Sequence, residues 1–442
     1  MEYTYVDLFA GCGGLSLGLM KAGWKGLFAV EKDNMAFETL KHNLITCSEP
    51  PKFDWPDWLP VEPCDVTAFA EHYRRELENL KGNVTMIVGG SPCQGFSFAG
   101  RRDSSDERNR LFSHCIRLVE LLSPLLVLLE NVRGIAVPFG SSEPIHGDKG
   151  DIRATVADEI ATALENLGYR VYSGLIDASM YGVPQKRCRY ILVAAKIDAR
   201  VTRNGQGIAS PFSILQELRL DFLRSHGLMA EEAITTEVAL SDLERRHGER
   251  PAKECSRFSE GMYSTAKGSY QRLMRVVRDG APASRAVPDS HRFANHRDST
   301  VASFRRIMAC KRGVQLSKED RERLGIGKHV VIPLAANEPC HTLTTLPDDC
   351  LHYSEPRIFT VREYARIQSF PDWFEFRGKY TTGGQARRCE CPRYTQVGNA
   401  VPPLLAEALG LSLIQFLDRI TPVGLASSEA CAASSRSVLA RA

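Results

Sequence analysis

The sequence predicts an α/β protein: a parallel sheet covered on both faces, joined to a smaller, irregular domain. Three observations carry that prediction. Short, uniformly apolar runs alternate with amphipathic helical patterns over residues 1–200. Between about Val201 and Val330 the alternation gives way to a polar, Arg-, Ser- and Gly-rich stretch without a clear period. Regular patterning returns at "CHTLTT" (Cys340–Thr345) and runs into the apolar helix of "QVGNAVPPLLAEALGLSLIQFL" (Gln396–Leu417). Strands that are apolar throughout and linked by helices belong in a sheet buried on both sides. The division expected is 1–200 for the sheet domain, 201–335 for the irregular domain, and 336–421 returning to the first. Residues 422–442 form a small, polar tail expected to be disordered.

The elements follow in order. "TYVDLFA" (Thr4–Ala10) is a buried strand, and "LSLGLMKAG" a helix stopped by Gly23. "KGLFAVE" (Lys25–Glu31) is the second strand, followed by the helix "NMAFETLKHN". A third strand is expected to end at Asp65, before a helix marked by Phe69, Tyr73, Leu77 and Leu80. "VTMIVGG" is the fourth strand. Leu111, Cys115, Leu118 and Leu122 mark the next helix, and "PLLVLLE" (Pro124–Glu130) the fifth strand. A helix near Ile152–Leu167 leads to "YRVYSGLIDAS", and "RYILVAAK" closes the series.

Composition narrows the class. The chain has 442 residues, 43% hydrophobic and 25% charged, as soluble globular proteins do. Without an apolar run of about 18 residues, no membrane span is expected. The first residues run directly into a strand with no basic n-region or cleavage site, so no secretion signal is expected. Thirteen cysteines lack a regular framework, so reduced thiols and a cytosolic compartment are expected. Net charge is only +3, yet Pro251–Arg312 holds thirteen Lys/Arg against five Asp/Glu, the footprint of a phosphate-backbone partner.

In parallel sheets ligands bind at the carboxyl ends of strands, so those residues are the candidates. "DLFAGCGGLSLG" (Asp7–Gly18) offers Gly11, Gly13 and Gly14 for a sharp turn close to a ligand before a helix. It is not a dinucleotide loop, because Ser16 stands where the last glycine belongs. Glu31 sits where an acidic residue can bind ribose hydroxyls, and Asp65 is either a second ligand or a helix cap. Together the three strand ends suggest a nucleoside cofactor. "GGSPCQGFSFAG" (Gly89–Gly100) places Cys93 on a glycine-rich loop at the sheet edge, which favours a nucleophile. Metal ligation lacks nearby partners and a phosphate loop lacks its Lys-Ser/Thr ending. Glu130 in "ENV" ends an apolar run; partial burial would let it hold a proton near neutral pH, unless Arg133 pairs with it. Gln185, Arg187 and Arg189 in "QKRCRY" alternate, so on a strand they share one face suited to a phosphate or base edge.

These motifs, in this order, resemble the cytosine-C5 DNA methyltransferases of bacterial restriction-modification systems. "DLFAGCGG", "SPCQGFS", "ENV", "QKRCRY", "REYARIQSFPDWF" (Arg362–Phe374) and "QVGNAVPP" (Gln396–Pro403) resemble six of the family's motifs. The resemblance implies a Rossmann-like sheet of the kind that uses S-adenosyl-L-methionine, with a smaller target-recognition domain over 201–335. It implies that Asp7, Phe9, Gly11, Cys12, Gly13, Gly14 and Leu15 cradle the cofactor's amino acid part. Glu31 would take its ribose, and Asp65 with Val66 its adenine. Pro92, Asn399, Ala400 and Val401 would line the same pocket. Lys32 departs from the family, where an apolar side chain commonly meets the adenine. The implied reaction moves a methyl group to C5 of a cytosine flipped out of duplex DNA, through a Cys93–C6 adduct. Glu130, Arg187, Gln185 and Arg189 would handle the base, and Gln94, Ser97, Arg292 and Arg297 would touch DNA. A bacterial, cytoplasmic monomer acting on double-stranded DNA is implied, with a cognate restriction endonuclease as partner and no metal. The tRNA-modifying branch carries a Cys-Phe-Thr signature, absent here. A zinc site at Cys389 and Cys391 lacks a second pair.

Overall fold

The computed structural model describes residues 2–90, 111–137, 155–197, 209–229, 231–276, 278, 287–382, 386 and 389–420. β1 (Thr4–Leu8) leads through the glycine turn into α1 (Gly14–Lys21) and β2 (Lys25–Val30). α2 (Asn34–Leu40) starts where the Asp33 carboxylate accepts from Met35 N and Ala36 N, and it runs into a π-helical turn at Lys41–Ile45. α3 (Val66–His72) and α4 (Arg74–Asn79) precede β3 (Met86–Gly89). α5 (Leu111–Leu122), β4 (Leu126–Val132), α6 (Val156–Asn166), β5 (Arg170–Asp177), β6 (Gln185–Lys186) and β7 (Cys188–Ala195) follow.

One sheet of order β2-β1-β3-β4-β7-β5 holds all of these strands except β6. β2, β1, β3 and β4 are parallel, but β7 runs antiparallel to both β4 and β5, so the sheet is mixed rather than parallel as expected. The reason is chain length. Residues 178–187 alone join β5 to β7, too few for the crossover of about a dozen residues that a parallel return needs. A second correction concerns Asp65. No strand ends there; Asp65 is the N-cap of α3, its carboxylate accepting from Thr67 N at 2.9 Å.

The strands bury both faces by simple alternation. Tyr5, Met86, Val88, Leu126 and Leu128 face one core; Val6, Leu8, Ile87 and Val127 face the other. The rest of the chain adds α7 (Pro211–Ser225), α8 (Thr236–Leu240), β8 (Glu249–Pro251), β9 (Ser259–Gly261) and α9 (Ser269–Arg275). Then come α10 (Asp298–Met308), α11 (Lys318–Leu324), β10 (Ile332–Pro333), β11 (Cys340–His341), β12 (Cys350–Leu351) and α12 (Val361–Ile367). The chain ends its described part with α13 (Arg393–Asn399) and α14 (Pro403–Ile420). α7 lies within the stretch that showed no clear period. Its buried face is Ile214, Leu215, Phe222 and Leu223, two pairs diluted by intervening charge.

α14 packs on α1 through small residues. A Cβ on Gly18 would meet Pro403 O at 2.3 Å and Ala406 Cβ at 2.4 Å, and one on Gly410 would meet Ala22 Cβ at 2.7 Å. This contact returns the chain's end to β1. It also accounts for the apolar character of Arg393–Ile420: an 18-residue window there, of mean hydropathy 1.6, is 83% buried inside the protein, as a core helix is.

Candidate active site

The carboxyl ends of β1, β2, β3 and β4 open into one cavity of about 460 Å³, within the usual size range for small-ligand sites. Its floor is the turn after β1. Phe9 (φ 61°) and Gly11 (φ 56°) are left-handed, a strained conformation for a bulky residue such as Phe9. Gly14 is small because the backbone demands it: a Cβ there would lie 2.4 Å from Val401 O. Asp7 is buried beneath the turn, its Oδ2 accepting from Ser16 Oγ at 2.5 Å. Its Oδ1 finds no hydrogen-bond partner among the described residues. Burial, opposed by the Ser16 hydrogen bond and aided by the Glu31 charge, pushes the Asp7 carboxyl up to about 7.

Glu31 closes the turn. Its carboxylate accepts from Gly11 N at 2.9 Å and Asp33 N at 2.7 Å, and burial outweighs these bonds, raising its proton affinity. At the cavity's mouth Lys32 Nζ stands 4.0 Å from Asp65 Oδ2. Burial works to raise Asp65, but the Thr67 N–H and Lys32 more than offset it and hold the carboxyl low.

At the opposite end, Glu130, Asn131 and Val132 lie inside β4 rather than beyond it. Glu130 is nearly buried and meets Arg189 Nε at 2.9 Å, so its cation is Arg189 and not the neighbouring Arg133. Gly90 sits beside it; a Cβ there would be 3.2 Å from Glu130 Oε2. Gln185, Arg187 and Arg189 do share a buried face, with Lys186 and Cys188 exposed between them. They do not act alike. Arg187 donates to Gly398 O at 2.9 Å and Ala400 O at 3.0 Å, holding the link between α13 and α14. Gln185 is absent from the cavity wall. Its amide donates to Gln368 Oε1 at 2.9 Å and accepts from Leu343 N at 2.9 Å.

Comparison with known proteins now decides the family. Residues 3–415 match the family described as C-5 cytosine-specific DNA methylase. The chain belongs to the C-5 cytosine-specific DNA methylases. The Type II methyltransferase M.DdeI of Desulfomicrobium norvegicum is 32% identical over 427 residues, covering 94% of this chain and 89% of that one. The Type II methyltransferase M.Eco47II of Escherichia coli is 30% identical over 425 residues, covering 95% and 80%. In fold, the chain is similar to an E. coli prophage-encoded chain described as a DNA modification methyltransferase, with TM-score 0.60 and 23% identity over 94% of this chain and 100% of that one.

The methylase's cavity is lined by most of the expected cofactor residues: Asp7, Phe9, Gly11, Cys12, Gly14, Leu15, Glu31, Lys32, Asp65, Val66, Asn399, Ala400 and Val401. Gly13 (φ 94°) turns instead toward Leu40 and Leu44. Pro92, Cys93, Gln94 and Ser97 lie outside the described residues. Arg297 is exposed at the N-cap of α10, but Arg292 stacks between Phe258 and Tyr380, 4.1 Å and 3.5 Å from the ring centres. Sequence reasoning missed Asp33, Thr395, Gln396 and the wall formed by Cys389, Glu390 and Cys391. Gln396 had a signal, its place in "QVGNAVPP"; the two cysteines had none beyond their spacing.

Proposed function

We propose that this DNA cytosine-5 methyltransferase takes its methyl group from S-adenosylmethionine and delivers it to a cytosine extruded from double-stranded DNA, with Cys93 as transient nucleophile. One observation carries the proposal: a single cavity joins the Asp7–Leu15 turn, Glu31 and Asp65 to Glu130, Arg187 and Arg189. Gly90 is on its wall, and chain geometry limits Cys93 to about 11 Å from Gly90 between Cα atoms.

The residues fit the cofactor's chemistry. The partnerless Asp7 Oδ1 suits an ammonium group, Glu31 keeps lone pairs for hydroxyls, and Asp65 can accept from an amine once Lys32 yields. Bound there, the cofactor supplies a methyl group on a positively charged sulfur.

C5 of cytosine is a poor nucleophile. Addition of the Cys93 thiolate to C6 breaks the C5–C6 double bond and places its electron pair on C5, which can then accept the methyl group. Loss of the C5 proton and expulsion of the thiolate restore the aromatic ring and free Cys93. Glu130, protonated, would donate a hydrogen bond to N3 and accept one from the exocyclic amine, limiting charge build-up on the ring. Arg189 fixes the Glu130 carboxylate, and Arg187 braces the wall behind the base. Extrusion from the duplex costs a few kcal/mol of unstacking.

The same reading assigns residues 201–335 to target recognition and makes the enzyme a cytoplasmic monomer. The Type II names of its relatives support pairing with a restriction endonuclease. To test the mechanism, duplex DNA bearing 5-fluorocytosine is incubated with enzyme and cofactor. Wild type should become covalently attached, whereas Cys93→Ala should bind DNA but transfer no labelled methyl group. Turnover by Cys93→Ala would sink the mechanism.

A further inference from the structure

We propose that Tyr380 is a positioning residue for cofactor binding: clamped between Arg292 and Arg393, it holds the Cys389–Cys391 limb against the cavity. Cofactor affinity is thereby tied to the seating of the basic middle segment. The proposal rests on the reading of that cavity as the S-adenosylmethionine site.

The limb is closely built. Cys389, Glu390 and Cys391 line the cavity on the side of Lys32 and Asp33. Cys391 N donates to Asp33 Oδ2 at 3.0 Å, the same carboxylate whose Oδ1 caps α2. Gln396 ties two limbs together, its Nε2 donating to Cys391 O at 2.9 Å and Arg377 O at 3.0 Å. Lys379 Nζ reaches both Glu390 oxygens, at 2.8 Å and 3.0 Å, and Arg393 N donates to Lys379 O at 2.9 Å. Gly378 (φ 89°) lets the outer limb lie flat on α2, since a Cβ there would meet Met35 Cβ at 2.8 Å.

Tyr380, half-buried, follows Lys379 directly on the outer limb. Arg292 lies 3.5 Å and Arg393 4.3 Å from its ring centre, both within cation–π range. The second face of Arg292 rests on Phe258, and Arg393 donates to Glu254 Oε1 at 2.8 Å and Ser290 Oγ at 3.1 Å. Phe258, Glu254, Ser290 and Arg292 all belong to the basic middle segment. A shift of that segment therefore reaches the cavity wall without any of its residues touching the cofactor. It also gives Arg292 a role distinct from the expected DNA contact.

The test is calorimetric titration of the full-length enzyme with S-adenosylmethionine in the absence of DNA. Loss of both stacks should weaken binding about tenfold in Tyr380→Ala. Tyr380→Phe, which keeps the aromatic face, should bind like wild type. Arg292→Leu should weaken binding in the same direction although no DNA is present, and it carries the test if Tyr380→Ala does not fold. In turnover, the loss should fall on KM for the cofactor rather than on kcat. Wild-type affinity in folded Tyr380→Ala or in Arg292→Leu would overturn the proposal, as would a Tyr380→Phe defect equal to that of Tyr380→Ala. Failure of wild type to bind S-adenosylmethionine would instead refute the function proposed above.

Discussion

Asp7 shows how one buried carboxyl can make cofactor binding sensitive to pH. Its folded pKa of about 7 lies above the value of about 4 expected in the unfolded chain. Stability from the retained proton is therefore full below about pH 4 and lost as pH rises through about 7. A cationic ammonium at Oδ1 prefers the ionised form. Affinity for S-adenosylmethionine should thus tighten as pH rises through 7, and Asp7→Asn should flatten that profile while weakening binding above it. Titration calorimetry across pH 5.5 to 8.5, a span of about 1.5 units either side of that midpoint, checks both. A flat wild-type profile would exclude Asp7 as the ammonium partner.

Among the elements, α1 and α14 depend most on small residues. Gly18 has Pro403 O and Ala406 where a side chain would go, and its helical setting lacks the strain of a positive φ. Gly18→Ala gains helix propensity of about 1 kcal/mol but must push two helices apart. Overpacking should win, with a net loss of about 1–3 kcal/mol read as a lower urea midpoint at unchanged slope. An equal or higher midpoint would show that α14 yields more easily than this packing suggests. α12 is a different kind of joint. Arg366 is fully buried and reaches Asp242 Oδ1 at 2.9 Å and Asp372 Oδ2 at 2.6 Å. Burial alone would raise Glu363, but the Arg357 guanidinium holds its carboxyl well below the usual range. The motif "REYARIQSF" is thus a charged hub inside the protein, tying Asp242 to Arg366 and Asp372.

For the whole molecule, the basic excess of Pro251–Arg312 divides in two. Arg275, Arg292 and Arg312 are spent inside, on Asp242, on two rings, and on the carbonyls of Met308, Leu334 and Tyr353. Arg297, Arg305, Arg306 and Lys311 remain exposed on and beside α10. Arg297→Ala should lower DNA affinity uniformly across sequences, and the slope of log K against log salt should fall by about 0.9 for one lost phosphate contact. An unchanged slope in fluorescence anisotropy titrations would remove α10 from the DNA-binding face.

Most strand positions, the glycine turn and the ordered motifs were legible because each rests on local rules: uniformly apolar runs, positive φ at glycine, and residue types at strand ends. The strand expected before Asp65 has no such apolar run and is absent. Composition could not say which cations face solvent, since Arg292 and Arg297 differ only in what folds around them. Nor could it assign Gln185 to a buried brace, or Cys389 and Cys391 to a cavity wall, because their partners lie on segments remote in sequence. By itself the sequence determined an α/β cytosine-C5 methyltransferase and pointed to Cys93, Glu130 and the Gly11–Gly14 turn as candidate groups. The reversal of β7, the pairing of Glu130 with Arg189 and the Arg292–Tyr380–Arg393 stack were decided by tertiary structure, where burial makes each polar group find a partner among whatever residues packing brings near.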